Sequence, residues 1–237
     1  MAHDTFTQDG YLFYETSFTA LNNSGVSGRA ILLENQHDKT VTVQIMAEGL
    51  EPDMVHPQHI HGFEDGTDSK TPTIDQDGDK DGFVELAEGR DTYGPIQLNL
   101  TTASDDASEF TGMGAMFPTA DADGTLYYRE TFDFGDPGAG ALDVYDAIRM
   151  LEAKEIVLHG LELPAGYGEG TDGEVDGSGG YIAVLPVASG ELMPVAPAAD
   201  VLEAAQMLGV PLDDVVDWNA VAAQVQANFE TTGQYFL

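Results

Sequence analysis

Val41-Thr42-Val43-Gln44-Ile45-Met46-Ala47 alternates apolar and polar side chains without a break. In an extended chain successive side chains point to opposite faces, so Val41, Val43, Ile45 and Ala47 share one face and Thr42, Gln44 and Met46 the other. That is the pattern of a strand covered on one side. Residues 11–21 and 26–33 form similar runs, and Asn22-Asn23-Ser24-Gly25 and Asn35-Gln36-His37-Asp38 punctuate them with turn-forming residues. Antiparallel strands joined by short turns follow. Further strands are expected at 95–100, 125–134, 155–161 and 181–186, the last of them reading as the final buried strand. A short helix is expected before the 155–161 strand, because Leu142, Tyr145, Ile148, Arg149 and Leu151 recur at nearly helical spacing.

The fold class is therefore all-β, with the β domain spanning residues 1–190 and a long polar insertion at 64–94. Residues 164–180 read as an acidic, Gly-rich loop. From Met193 the composition turns to Pro and Ala, and residues 191–237 read as a linker with C-terminal helices. The first, 199–208, is closed by Gly209 and Pro211. In the second, Trp218, Val221, Ala222, Val225 and Phe229 share a face that would pack on the β domain, on a protein partner or on a second copy.

The 237 residues carry 42 acidic and 8 basic side chains, a net charge of −34. Such a surface repels phosphate backbones and anionic lipid, so nucleic acid and acidic membranes are excluded as partners, while cations are attracted. The same charge suits either a calcium-rich exterior or a high-salt habitat that screens self-repulsion. Absence of cysteine removes disulfides, thiolate metal sites and thiol catalysis together. No stretch reaches membrane-spanning length, and Met1-Ala2-His3-Asp4-Thr5 lacks a basic region leading into an apolar run, so no ordinary signal peptide is read there. No serine or carboxylate constellation points to a hydrolase, and no Gly-rich phosphate loop follows a strand.

Two motifs carry chemistry. In His56-Pro57-Gln58-His59-Ile60-His61, a strand would project His59 and His61 to one face and turn Ile60 into the core. His159, at the end of Ile156-Val157-Leu158, could add a third imidazole from a neighbouring strand. His56 would be a fourth, although Pro57 interrupts the strand beside it. Imidazoles without thiolates suit copper or zinc rather than calcium or magnesium. Met113 and Met116, whose thioethers would suit Cu(I), read instead as flexible core filling.

The second motif, Asp77-Gly78-Asp79-Lys80-Asp81-Gly82-Phe83-Val84-Glu85-Leu86-Ala87-Glu88, matches the twelve-residue EF-hand calcium loop position by position. Asp77, Asp79 and Asp81 take places one, three and five, Gly82 the sharp turn, the Phe83 carbonyl place seven, Glu85 place nine and Glu88 the bidentate twelfth. The preceding Ser69-Lys70-Thr71-Pro72-Thr73 is no helix, and Gly89 and Gly94 leave only a helical stub afterwards. A calcium loop without a helix pair points to a structural role. The shorter acidic runs at 121–124 and 172–176 read as solvated loops.

Gly49-Leu50-Glu51-Pro52 followed by His59-Ile60-His61-Gly62-Phe63-Glu64-Asp65 resembles the segment of Cu/Zn superoxide dismutases and of chordin-type (CHRD) domains in which a Gly-Leu-x-Pro turn leads to a His-x-His strand. Lys154-Glu155-Ile156-Val157-Leu158-His159-Gly160 resembles the dismutase strand that supplies a later copper histidine, again followed by an acidic Gly-rich loop and a final strand. The matches occur in family order and bracket most of residues 15–187. The resemblance implies a Greek-key β-sandwich, with His59, His61 and His159 at the positions of copper ligands. It also implies departures. No histidine lies between 62 and 158, so the bridging and zinc-binding set is missing, and the guidance arginine is replaced near Tyr181.

What the resemblance leaves is a copper-only site or a set of histidines that hydrogen-bond without metal. Calcium at 77–88 would replace zinc as the local staple. If the protein is an enzyme, it is a copper-dependent, superoxide-dismutase-like oxidoreductase, although a strongly negative surface disfavours an anionic substrate. The alternatives are a non-enzymatic CHRD-like extracellular calcium-binding interaction module and a passive cation buffer of a halophile. The calcium loop and the resemblance place the protein outside the cell or in the periplasm, the alternative being a halophile's cytoplasm.

Overall fold

The computed structural model describes residues 10–135 and 141–195. The C-terminal helices expected beyond residue 198 lie outside the described residues. Ten strands run in the order β1 (Tyr11–Ser17), β2 (Thr19–Ala20), β3 (Ser27–Asn35), β4 (Thr40–Glu48), β5 (Gln58–His61), β6 (Ile96–Asn99), β7 (Leu126–Asp133), β8 (Glu155–Leu163), β9 (Gly180–Glu191) and β10 (Met193–Val195). Helix α1 (Leu86–Tyr93) precedes β6, and α2 (Ala141–Ile148) precedes β8. The strands form two five-stranded antiparallel sheets, ordered β10-β1-β3-β4-β7 and β2-β9-β8-β5-β6. Among the described residues no helix is long and apolar enough to cross a membrane.

The main core draws on both sheets: Leu32, Val41, Val43 and Ile45 from the first, and Ile60, Ile156, Leu158 and Val187 from the second. The alternation of β4 holds, with Val41, Val43, Ile45 and Ala47 all buried. On its polar face Thr42 and Gln44 are buried as well, and Met46 is half-buried. Thr42 bonds Thr131 across the pair with β7 at 2.8 Å, and Gln44 lies opposite Arg129.

Three sequence expectations change. Residues 11–21 are not one strand: the chain crosses from the first sheet to the second at Phe18, whose ring is buried, so β1 and β2 belong to different sheets. The strand expected to end at Pro186 continues to Glu191, since a register irregularity where His159 faces Pro186 accommodates a residue with no N–H to donate. It is also not the last strand, because β10 pairs with β1. Helix α2 forms where periodicity placed it, but it buries Ala141, Val144, Tyr145 and Ile148 and leaves Leu142 exposed. Leu151 belongs to a separate one-turn helix, Leu151–Ala153.

A second, smaller core of Phe83, Leu163, Val175 and Leu185 joins the Asp77–Glu88 loop to the Gly-rich 164–180 loop, with Leu161 and Ile182 packed against it. Two excursions far apart in sequence thus meet beside β8 and β9.

Candidate metal centres

His59, His61 and His159 come together. Ile60 is fully buried in the main core, so its two neighbours on β5 turn to the opposite face. Strand β8 lies next to β5, with His59 opposite Val157 and His61 opposite Glu155, and the His159 N–H donates to the Pro57 carbonyl at 2.9 Å. Ring centroids are 5.0 Å apart for His59 and His159, 5.5 Å for His59 and His61, and 6.0 Å for His61 and His159. One ring nitrogen from each lies within 4.8 Å of one from each of the others, a spacing that could hold a metal ion.

The hydrogen bonds fix which nitrogens are available. His61 Nδ1 donates to the Gly94 carbonyl at 2.9 Å, and His159 Nδ1 donates to the Val184 carbonyl at 2.7 Å. In a neutral imidazole the proton on Nδ1 leaves a lone pair on Nε2. The Nε2 atoms of His61 and His159 and the Nδ1 of His59 are buried without any hydrogen-bond partner. Burial holds the His59 ring well below the usual imidazole range, and the adjoining His159 and His61 rings add to the effect. Burial, with His159 nearby, pushes His61 down to about 3 despite its bond to Gly94, and burial pushes His159 down to about 4. All three are therefore neutral at pH 7, the state in which imidazole ligates a metal.

The surroundings enclose this cluster. The Tyr93 ring stands edge-on to His61 at 4.6 Å, and the half-buried Phe117 ring stands edge-on to His59 at 5.1 Å. Glu155, opposite His61 in register, is fully buried. Thr71 and Ser189 donate hydroxyl bonds to its Oε1, while Oε2 has no partner. Burial pushes its carboxyl up to about 7, so this face carries less than a full negative charge at neutral pH.

His56 is placed elsewhere. Its Nδ1 lies 2.9 Å from the His159 carbonyl and its Nε2 lies 3.1 Å from the Glu51 carbonyl, so both ring nitrogens face backbone oxygens and neither points a lone pair at the trio. Tyr181 is edge-on to it, with its hydroxyl donating to the Val55 carbonyl. His56 braces the irregular stretch of β8 that carries His159. Met113 and Met116 are exposed, contrary to their reading as core filling.

In the second loop, carboxylate oxygens of Asp77, Asp79 and Asp81 lie within 4.8 Å of one another. Backbone N–H groups hold them. Lys80 and Gly82 donate to Asp77 at 2.7 and 2.9 Å, Asp81 donates to Asp79 at 3.2 Å, and Phe83 donates to Asp81 at 2.7 Å. Gly82 supplies the turn with φ of +95°. Glu88 closes the loop by accepting from Gly78 at 2.6 Å and Glu85 at 2.9 Å. Asp81 Oδ2 is buried without a hydrogen bond, and its carboxyl is raised by burial and by the charges of Asp79, Asp77 and Glu88, against the Phe83 N–H. Among the described residues no lysine or arginine pairs with these acids.

Two positions of the motif serve the neighbouring loop instead. The Phe83 ring sits in the small core with Val175. Glu85 is buried and accepts the Val175 N–H at 2.7 Å, and a Cβ on Gly173 would collide with its carboxylate. The 172–176 run is accordingly not a freely solvated loop: Val175 is buried, and Glu174 accepts the Leu86 N–H at 3.4 Å. Sequence reasoning also missed Tyr93 and Gly94, which wall and orient His61. The one trace of them is a glycine at the end of a short helix, and Gly94 does adopt a positive φ of +86° there.

No protein-family model matches the chain, and no curated protein matches it in sequence.

Proposed function

We propose that the protein binds copper through His59, His61 and His159 and calcium through the Asp77–Glu88 loop, on a Greek-key sandwich of the superoxide-dismutase or CHRD type. The observation that carries the copper reading is a cluster of three buried, neutral imidazoles, with one nitrogen of each within 4.8 Å of the others and each ring keeping a buried nitrogen without a hydrogen bond. Leaving such groups unsatisfied costs about 1–3 kcal/mol each, and a shared cation removes that cost. Nitrogen donors without thiolate or carboxylate favour copper or zinc, and three ligands leave a coordination position open. The calcium reading rests on the twelve-position pattern together with three carboxylates held close, with no ion pair to a lysine or arginine among the described residues.

A copper ion with an open position could cycle between oxidation states, as dismutation requires, but a charge of −34 slows the arrival of an anion. That charge supports the second reading, a calcium-stabilised extracellular interaction module. Metal analysis and paramagnetic resonance on protein prepared with both metals test the assignment. Wild type is expected to hold one copper per chain with a nitrogen-rich cupric spectrum, and the His59→Ala/His61→Ala double variant none. Equal copper in both would refute the trio as the site. A superoxide assay on the copper form then separates enzyme from binder.

A further inference from the structure

Resting on that reading, we propose that the calcium loop sets the copper affinity of the histidine trio, with α1 and the Gly-rich loop as the mechanical links and Tyr93 and Gly94 as positioning residues. Helix α1 begins inside the calcium motif: Leu86, Ala87 and Glu88 are both the last three loop positions and the first turn of the helix. The Glu88 carboxylate caps that turn by accepting the Glu85 N–H at 2.9 Å. At the other end of the same eight residues Tyr93 stands against His61, and Gly94 accepts the His61 Nδ1 proton. The bond that leaves His61 Nε2 bare for a metal is thus supplied by a helix whose start is the calcium loop.

The link is tight at each step. A Cβ on Gly94 would lie 2.6 Å from the Gly62 backbone, so the helix end is seated directly on the residue that follows His61. A Cβ on Gly89 would lie 2.5 Å from the Tyr93 ring, so the ring is folded back onto its own helix. Its hydroxyl donates to the Leu86 carbonyl at 3.3 Å, returning to the loop. Eight residues with an internal glycine do not sustain a helix alone in water, so α1 depends on what holds its ends.

A second link reaches His159. Glu85 and Leu86 bond Val175 and Glu174 of the Gly-rich loop, and Phe83 packs on Val175. That loop joins β8, which carries His159, to β9, which supplies the Val184 carbonyl that accepts the His159 Nδ1 proton. Two of the three ring orientations therefore hang on elements clamped by the calcium loop. Without a cation the repulsion among Asp77, Asp79, Asp81 and Glu88 opposes the clamp, and with calcium it reinforces it. Partners of this kind orient ligating imidazoles and raise metal affinity.

The test uses the full chain freed of metal by dialysis. Cu(II) affinity is measured by competition with a chromophoric chelator, with no added calcium and in millimolar calcium, alongside calorimetric titration of calcium and amide exchange. Calcium is expected to tighten copper binding roughly five- to hundredfold, and copper to tighten calcium binding by the same factor. The cupric hyperfine splitting should shift with calcium. In Tyr93→Ala, copper should bind more weakly at saturating calcium and lose most of its calcium dependence.

Calcium binding that leaves copper affinity and spectrum unchanged would overturn the coupling while leaving both sites standing. Failure to bind either metal would overturn the coupling and the reading beneath it. Amide exchange separates linkage from unfolding. Loss of protection confined to 86–94 and 164–186 without calcium supports the proposal, whereas equal loss in β3 and β4 overturns it.

Discussion

The histidine trio and the acidic Asp77–Glu88 loop solve the same problem, gathering potential ligands that would otherwise disperse, by opposite means. The histidines stand on central strands of a sheet whose other face is the main core, so their positions are set by Ile60, Ile156 and Leu158 beneath them. Their cost is desolvation, kept low by losing the proton. The aspartates of 77–81 stand on a loop at the surface and are held by backbone N–H groups pointed at each carboxylate. Their cost is mutual repulsion, which protein dipoles reduce without cancelling. A site made by strands is organised before its ligand arrives, whereas a site made by turns depends more on the ligand to stay organised.

Acid should separate the two regions most strongly. A ring whose folded value lies below that of free histidine leaves the unfolded chain holding the extra proton. Stability present above pH 6.5 is therefore lost as pH falls toward about 4 for His159 and about 3 for His61. The loss is about 1.4 kcal/mol per pH unit per ring, or roughly 2 kcal/mol per ring between pH 6.5 and 5. Denaturant unfolding of the metal-free protein at these two pH values measures it. His61→Leu should remove one ring's share, and equal slopes in variant and wild type would show that the ring is not held neutral.

Calcium comes next. At a hundredfold excess over its dissociation constant, calcium should add about 2.7 kcal/mol of stability and slow proteolysis between residues 64 and 94. An unchanged melting temperature and cleavage pattern after calcium removal would break the comparison from the loop's side. The smallest effect is expected at Glu85. Because its carboxylate serves Val175, Glu85→Gln should leave calcium affinity within about threefold and cost no more than about 1 kcal/mol through the weakened bond. A large loss of calcium affinity, read by calorimetry, would return Glu85 to the ligand shell.

How much of this was legible depends on whether the signal was local. The alternation of Val41 to Ala47 is local, and β4 followed from it. The i, i+2 spacing of His59 and His61 is local to one strand, and the pairing of β5 with β8 then brought in His159. Phe18 gave no sign of the crossing between sheets, since an apolar residue fits a continuing strand as well as a switch. Pro186 read as a terminator because a proline's missing N–H matters only where a neighbour needs it, and the irregular pairing at His159 removes that need. Glu85 matched its motif position, yet its partner is Val175, ninety residues away, and no spacing rule reaches that far. His56 illustrates the same point: its type suggested a ligand, while the carbonyls of Glu51 and His159 gave it another task.

Two of the three clustered histidines are followed by glycine, and the two glycines differ in how closely they are confined. A Cβ on Gly62 would meet only the end of the Lys154 side chain, which can shift, whereas one on Gly160 would lie 2.0 Å from the Tyr181 hydroxyl at a φ of +110° that side chains rarely adopt. A saturation scan should therefore show one pair of intolerant positions, His159 with Gly160, in which the second member fails for want of space rather than for lost chemistry, and a milder loss at Gly62. The fingerprint by which a distant cousin could be recognised is then His-x-His followed by a later His-Gly, a pattern that demands emptiness at one place as strictly as it demands nitrogen at three.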